Sequence, residues 1–173
     1  IIESIGVLHH MKDPLKGLKV LLDLLKPYGR MKLGLYSKIA RQHITYARKF
    51  ASEKNFKGNI EDIRKCRCEI FNAKNDNLLK KVSLGKDFYT VSSVRDLIFH
   101  EQEHCFSIPE ISKILYKFKL EFLGFSNAFV KDQYSKTYSK DKKNIFLDNW
   151  DKYEKINPDT FNSMYSFWVR KII

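Results

Sequence analysis

The sequence predicts an α/β fold, and three observations carry that expectation. An apolar run at Ile1–Leu8 is followed by a strongly signalled helix and a second apolar run at Met31–Tyr36. From Ser37 to about Leu84 the pattern changes to amphipathic helices, with Ala40, Ile44, Ala47 and Ala51 on one face and Ile63, Cys66 and Ile70 on another. Strand patterns return at Leu120–Phe125 and Met164–Val169.

Taken in order, Ile1–Leu8 reads as a buried strand entered without an initiator Met or a cap, so the chain is expected to be a fragment of a longer protein. An apolar strand with an unpaired edge is an aggregation liability. Asp13 then Pro14 start a helix, because the carboxylate caps it and a proline at its first position gives up an N–H that has no helical partner. Leu18, Leu21, Leu22 and Leu25 share a face, and Pro27 with Gly29 ends the helix. Met31–Tyr36 suits a buried parallel strand, giving strand, helix, strand with a right-handed crossover.

Beyond the basic helical stretch, Val91–His104 reads as one helix. Ser107 and Glu110 form a capping box for the next, which carries Ile111, Ile114, Leu115 and Phe118. Lys131–Asn144 reads as a loop or an exposed helix. No repeat, Pro/Gly/Ser-rich linker or low-complexity segment marks an internal boundary. A single domain is expected, with strand–helix–strand over 1–36, a mostly helical part over 37–119, and final strands with a connecting segment over 120–173.

The formal charge of +12 comes from 32 basic and 20 acidic residues. Only seven of the basic residues are arginines, and the lysines recur throughout, which favours solvated surface charge over a nucleic-acid footprint. Three cysteines, Cys66, Cys68 and Cys105, are too few and too unevenly placed for a disulfide framework, and a reducing cytoplasm fits them. No apolar run approaches a membrane span and no signal peptide is visible.

Several residues carry candidate chemistry. His9 and His10 follow a predicted parallel strand, and open α/β sheets bind ligands at the carboxyl ends of their strands. There an imidazole can position a substrate or accept its proton; alternatively, one of the two only ties down its loop. Tyr36, Ser37 and Arg41 lie past the end of the second strand, as substrate contacts or as a helix cap with a solvated arginine. His100-Glu101-Gln102-Glu103-His104 matches the zinc pattern H-E-x-x-H and its inverse. No histidine follows His104, Pro109 interrupts a longer helix, and a third ligand would have to come from a distant residue such as His43 or Glu121. The favoured alternative is that His100, Glu103 and His104 face a pocket, or form a hydrogen-bonded structural cluster. Cys66-Arg67-Cys68 supplies only two metal ligands, so a buried Cys66 beside an exposed Cys68 is expected.

Gly6-Val7-Leu8-His9-His10-Met11, then Leu25-Lys26-Pro27-Tyr28-Gly29, resembles the carboxyl half of a class I S-adenosylmethionine-dependent methyltransferase domain. The resemblance continues at Gly34-Leu35-Tyr36-Ser37 with Ala40-Arg41, at Arg95–His100 with Glu103-His104, and at Asn157–Phe161 leading to Met164–Val169. It implies a partial Rossmann-like methyltransferase sheet with a helical insertion after the fifth strand, forming a cover over the substrate pocket. S-adenosylmethionine would be the cofactor, bordered by backbone of Gly6, Val7, Leu8 and His9. His9 and His10 would be catalytic, and Tyr36, Ser37, Arg41, His100, Glu103 and His104 would face the substrate.

Two departures qualify that implication. Tyr28 stands where the family usually has Gly. The family's glycine-rich cofactor turn is also missing, since no two of the seven glycines are close enough to make G-x-G. The resemblance therefore implies methyl transfer to an unknown acceptor as part of a longer chain. Its partner would be the missing amino-terminal half of the same domain, without which this fragment is inactive. A basic RNA- or protein-binding module and a metal-dependent hydrolase using the H-E-x-x-H pattern are the competing classes.

Overall fold

A computed structural model describes residues 1–172. It is α/β, with a mixed five-stranded sheet and, among the described residues, eight α-helices. The chain divides into two compact units, 1–40 with 102–173, and 41–101.

In the first unit, β1 (Ile2–Ile5) pairs in parallel with β2 (Arg30–Ser37), and α1 (Pro14–Leu24) connects them. Asp13 caps α1 by accepting from the backbone N–H groups of Leu15 and Lys16, as its sequence signature predicts. β3 (Cys105–Phe106) runs parallel to the last two residues of β2. After α6 (Ile108–Lys117) come β4 (Leu120–Phe125), α7 (Ala128–Thr137), α8 (Leu147–Ile156) and β5 (Tyr165–Lys171). β5 inserts antiparallel between β2 and β4, giving the order β1-β2-β5-β4. Close packing fixes Gly34 on β2, because a Cβ there would stand 2.9 Å from the Ile5 backbone.

This unit's core gathers Leu18, Leu22 and Leu25 with Met31, Leu33 and Leu35, and adds Ile111, Leu115, Phe125, Trp150 and Phe167. Lys171 on β5 donates to the carbonyls of Leu22 and Leu25 at 2.7 and 3.0 Å, satisfying acceptors that the end of α1 leaves open.

The second unit is helical: α2 (Gln42–Glu53), α3 (Ile60–Asn72), α4 (Asn77–Ser83) and α5 (Val91–Phe99), with a single 3-10 turn at Lys86–Phe88. It has its own core of Ile44, Ala47, Ala51, Ile63, Cys66, Ile70, Leu79, Val82, Phe88, Val94 and Ile98. The faces read from sequence are the faces that are buried.

Three sequence expectations are corrected. The first strand stops at Ile5, because Gly6 takes φ +75° and turns the chain into a 3-10 segment at Leu8–His10. The helix from Val91 ends at Phe99, with His100 already extended, so His100 and His104 do not share a helical face. Residues 131–144, expected as a loop or an exposed helix, continue α7 to Thr137 and then turn, but Tyr134 and Asp141 are buried rather than exposed. The helix Ile108–Lys117 falls in the sheet unit. No helix among the described residues is long and apolar enough to cross a membrane.

Candidate functional site

Gly6 ends β1, and the 3-10 turn that follows directs His9 inward and leaves His10 half-buried. His9 has 0% of its surface exposed. Its ring lies 3.8 Å, centroid to centroid, from that of Tyr36 near the end of β2, and 4.4 Å from that of His10. His10 also meets Tyr36 edge to face at 5.8 Å. Sequence reasoning placed these three rings at one edge of the sheet, and the fold packs them into one cluster.

The segment before β3 closes on this turn through its backbone. His104 N donates to the His9 carbonyl at 2.8 Å, and His10 Nδ1 lies 3.3 Å from the carbonyl oxygen of Gln102. A carbonyl only accepts, so the second contact puts a proton on Nδ1. Cys105 Sγ lies 3.9 Å from Glu103 Oε1, a weak thiol-to-carboxylate bond. These backbone bonds and the β2–β3 pairing would be lost if a helix ran on through His104.

Ser37, the next residue of β2, is fully buried. Its hydroxyl accepts from Ala40 N at 3.0 Å and donates to Glu154 Oε1 at 2.5 Å. Tyr165 on β5 donates to the other oxygen of Glu154 at 2.6 Å. Burial pushes the Glu154 carboxyl above the usual carboxylate range, against the opposing pull of these two hydrogen bonds. Burial and the adjacent Glu154 push the Tyr165 hydroxyl up as well. Sequence reasoning missed Glu154, although it follows Trp150 by four residues and so sits on the buried face of α8.

Next to the ring cluster, a cleft of about 960 Å³ is walled by Met11, Lys12, Lys16, His104, Phe106 and Lys113, among others. Its volume lies in the range of small-molecule sites. His104 is the sequence candidate that lines it. The cleft's two carboxylates are engaged. Asp13 caps α1, and Glu110 accepts from Ser107 and from Lys38 at 2.5 Å. Partial burial raises the Glu110 carboxyl, but its hydrogen bonds to Lys38 and Ser107 outweigh that and hold it below the usual range. Lys12, Lys16 and Lys113 have no ion-pair partner among the described residues. The cleft thus combines apolar walls with positive charge.

Arg41 and His100 belong to the helical unit, both half-buried. Among the described residues, no group of three or more His, Cys, Asp or Glu is placed to hold a metal ion. With His100 beyond the end of α5, the H-E-x-x-H pattern lacks the helix that would bring its two histidines to one face.

The chain matches no model of a known protein family, and a comparison with curated proteins finds no match.

Proposed function

We propose that this chain is the carboxyl half of a class I S-adenosylmethionine-dependent methyltransferase domain, acting as part of a longer chain on an acceptor held in the cleft beside His104. The observation that carries this reading is the gathering of His9, His10 and Tyr36 at the carboxyl ends of two parallel strands joined by a capped helix. Ligands of open α/β sheets sit at such strand ends. The antiparallel insertion of β5 also agrees with the mixed, Rossmann-like sheet that the sequence resemblance implies.

The residues at this turn fit part of a cofactor site. Gly6 holds φ +75° with nothing within 4 Å of where a Cβ would stand, so a ligand can approach its backbone. Val7 is exposed, whereas the Leu8 side chain is committed to the core, leaving only its backbone to border a ligand. The glycine-rich turn that would hold the rest of the cofactor is not in this sequence.

When bound, S-adenosylmethionine supplies a methyl group activated on a sulfonium. His10 is the proton acceptor in this proposal, its ring oriented by the contact of Nδ1 with the Gln102 carbonyl. His9, fully buried between His10 and Tyr36, orients those two rings. Ser37 acts through Glu154 to fix the end of β2, and so the backbone that carries Tyr36. His104, Lys12 and Lys113 line the acceptor cleft, where lysines favour a substrate bearing negative charge. A cytoplasmic setting fits three cysteines that form no disulfide.

The test is to extend the chain by the codons upstream of Ile1 and titrate S-adenosylhomocysteine by calorimetry, following backbone amides by NMR. Binding that shifts the amides of Gly6, Val7 and His9 supports the proposal. Absence of binding, or binding that leaves those amides unmoved, overturns it.

A further inference from the structure

The sheet unit is not the only place where charge and apolar surface converge. In the helical unit, Arg64, Arg67 and Phe71 follow one another along one face of α3, across from Phe88 and Tyr89. Together with Asn72 they line an open groove of about 580 Å³. Two of the chain's seven arginines stand here, and no acidic residue is among the lining.

Both arginines keep their charge available. Neither has an ion-pair partner among the described residues. The acids of α3 itself are engaged elsewhere: Glu61 with Lys65 at 2.8 Å, Glu69 with Lys54 at 2.9 Å, and Asp62 with Lys57 N and Asn59. The Arg67 guanidinium lies over the buried Phe88 ring, 5.6 Å from its centroid, and its Nε is buried without a hydrogen-bond partner among the described residues. An unsatisfied donor of this kind costs free energy unless an acceptor arrives.

The aromatic half of the groove is solvent-facing. Phe71 is 63% exposed and Tyr89 60% exposed. Single-stranded nucleic acid is recognised by this pairing, in which aromatic side chains stack on bases and arginines hold phosphates. A carboxylate-rich chain answers the arginines but offers nothing regularly spaced to stack on Phe71 and Tyr89, and a duplex keeps its bases stacked inside.

We infer that this groove binds a single-stranded nucleic acid, with bases stacked on Phe71 and Tyr89 and backbone phosphates held by Arg64 and Arg67. The inference is independent of the methyl-transfer reading, since it uses no residue of the sheet unit. It also gives a specific location to part of a positive charge that the sequence spreads along the whole chain.

The test is fluorescence anisotropy of a labelled ten-residue oligouridylate with the intact protein, repeated across salt concentrations. Phe71→Ala/Tyr89→Ala should weaken binding at least about fivefold while leaving the salt dependence in place. Arg64→Gln, on an exposed side chain, should lower the slope of log affinity against log salt by about 0.7. Unlabelled poly-glutamate should compete poorly. Cys68, exposed on this groove, should be alkylated more slowly when the oligonucleotide is bound. Absence of oligonucleotide binding at low salt, equal affinity in Phe71→Ala/Tyr89→Ala, or equal competition by poly-glutamate overturns the inference.

Discussion

Ser37 Oγ donates a 2.5 Å hydrogen bond to Glu154 Oε1, linking two buried residues 117 positions apart in sequence. Both Ser37 and Tyr165 present hydroxyl protons to this carboxyl, yet its burial dominates and raises its pKa. A carboxyl raised in the folded state contributes stability that is full below its unfolded value, about 4.3, and is lost as pH rises through the folded value. Unfolding free energy, measured by urea titration across that window, should therefore fall with increasing pH. Glu154→Gln, a neutral mimic of the protonated acid, should flatten that decline. Glu154→Ala should instead cost about 3 kcal/mol, because it strands two buried hydroxyls.

Tyr28 occupies the left-handed region at φ +59°, in the turn between α1 and β2. This is a conformation that Gly adopts without strain and L residues rarely do. An L residue pays about 1 kcal/mol for it. Because Tyr28 is exposed, Tyr28→Gly should stabilise the chain by up to about 1 kcal/mol, read as an increase in the urea midpoint at unchanged slope. A decrease would mean that the Tyr28 ring contributes more than its backbone costs.

Asp141 accepts from the Tyr134 hydroxyl at 2.7 Å and from the backbone N–H groups of Ile145 and Phe146. It is buried, and Tyr134 stacks on Trp150 with centroids 3.7 Å apart. Asp141→Ala leaves three donors without their acceptor and should cost about 3 kcal/mol or more. Tyr134→Phe removes one bond and keeps the stack, so its cost should be nearer 1 kcal/mol. Equal losses in the two variants would contradict this assignment of the donors.

Cys66 is buried, and burial pushes its thiol up to about 12, whereas Cys68 is exposed. Iodoacetamide at neutral pH should therefore modify Cys68 long before Cys66, since the thiolate is the reactive form. Peptide mapping of the partially alkylated native protein checks the order. Preferential labelling of Cys66 would show that α3 opens under these conditions.

Legibility from sequence tracked how local the determining interaction is. Asp13-Pro14 and the Ser107–Glu110 capping box signal helix starts within four residues, and both caps form. The alanine face of α2 and the Ile63–Cys66–Ile70 face of α3 follow from periodicity alone. Local pattern failed where distant partners decide. The sequence pattern carries the Val91 helix on to His104, but His104 N instead donates to the His9 carbonyl and the next two residues pair with β2. Tyr134 and Asp141 sit among lysines that suggest a solvated segment, and only their contacts with each other and with Trp150 reveal a core. In the candidate site, the ring cluster was legible as neighbours at strand ends. The cleft walls contributed by Lys12, Phe106 and Lys113 were not, because they meet only through the β2–β3 pairing and the packing it sets up.

That pairing reaches further than the site. Tyr36 stands beside Cys105 and Ser37 beside Phe106, so the chain departs from the sheet and rejoins it at one doorway. Loop-closure entropy grows slowly with length, about 0.6 kcal/mol for each doubling. Everything between the two sides of the doorway can therefore grow, shrink or be exchanged while the strand register is left intact. Residues 41–101 are thus an insertion whose length the sheet does not dictate, since the pairing of Tyr36–Ser37 with Cys105–Phe106 holds the strands on either side of it.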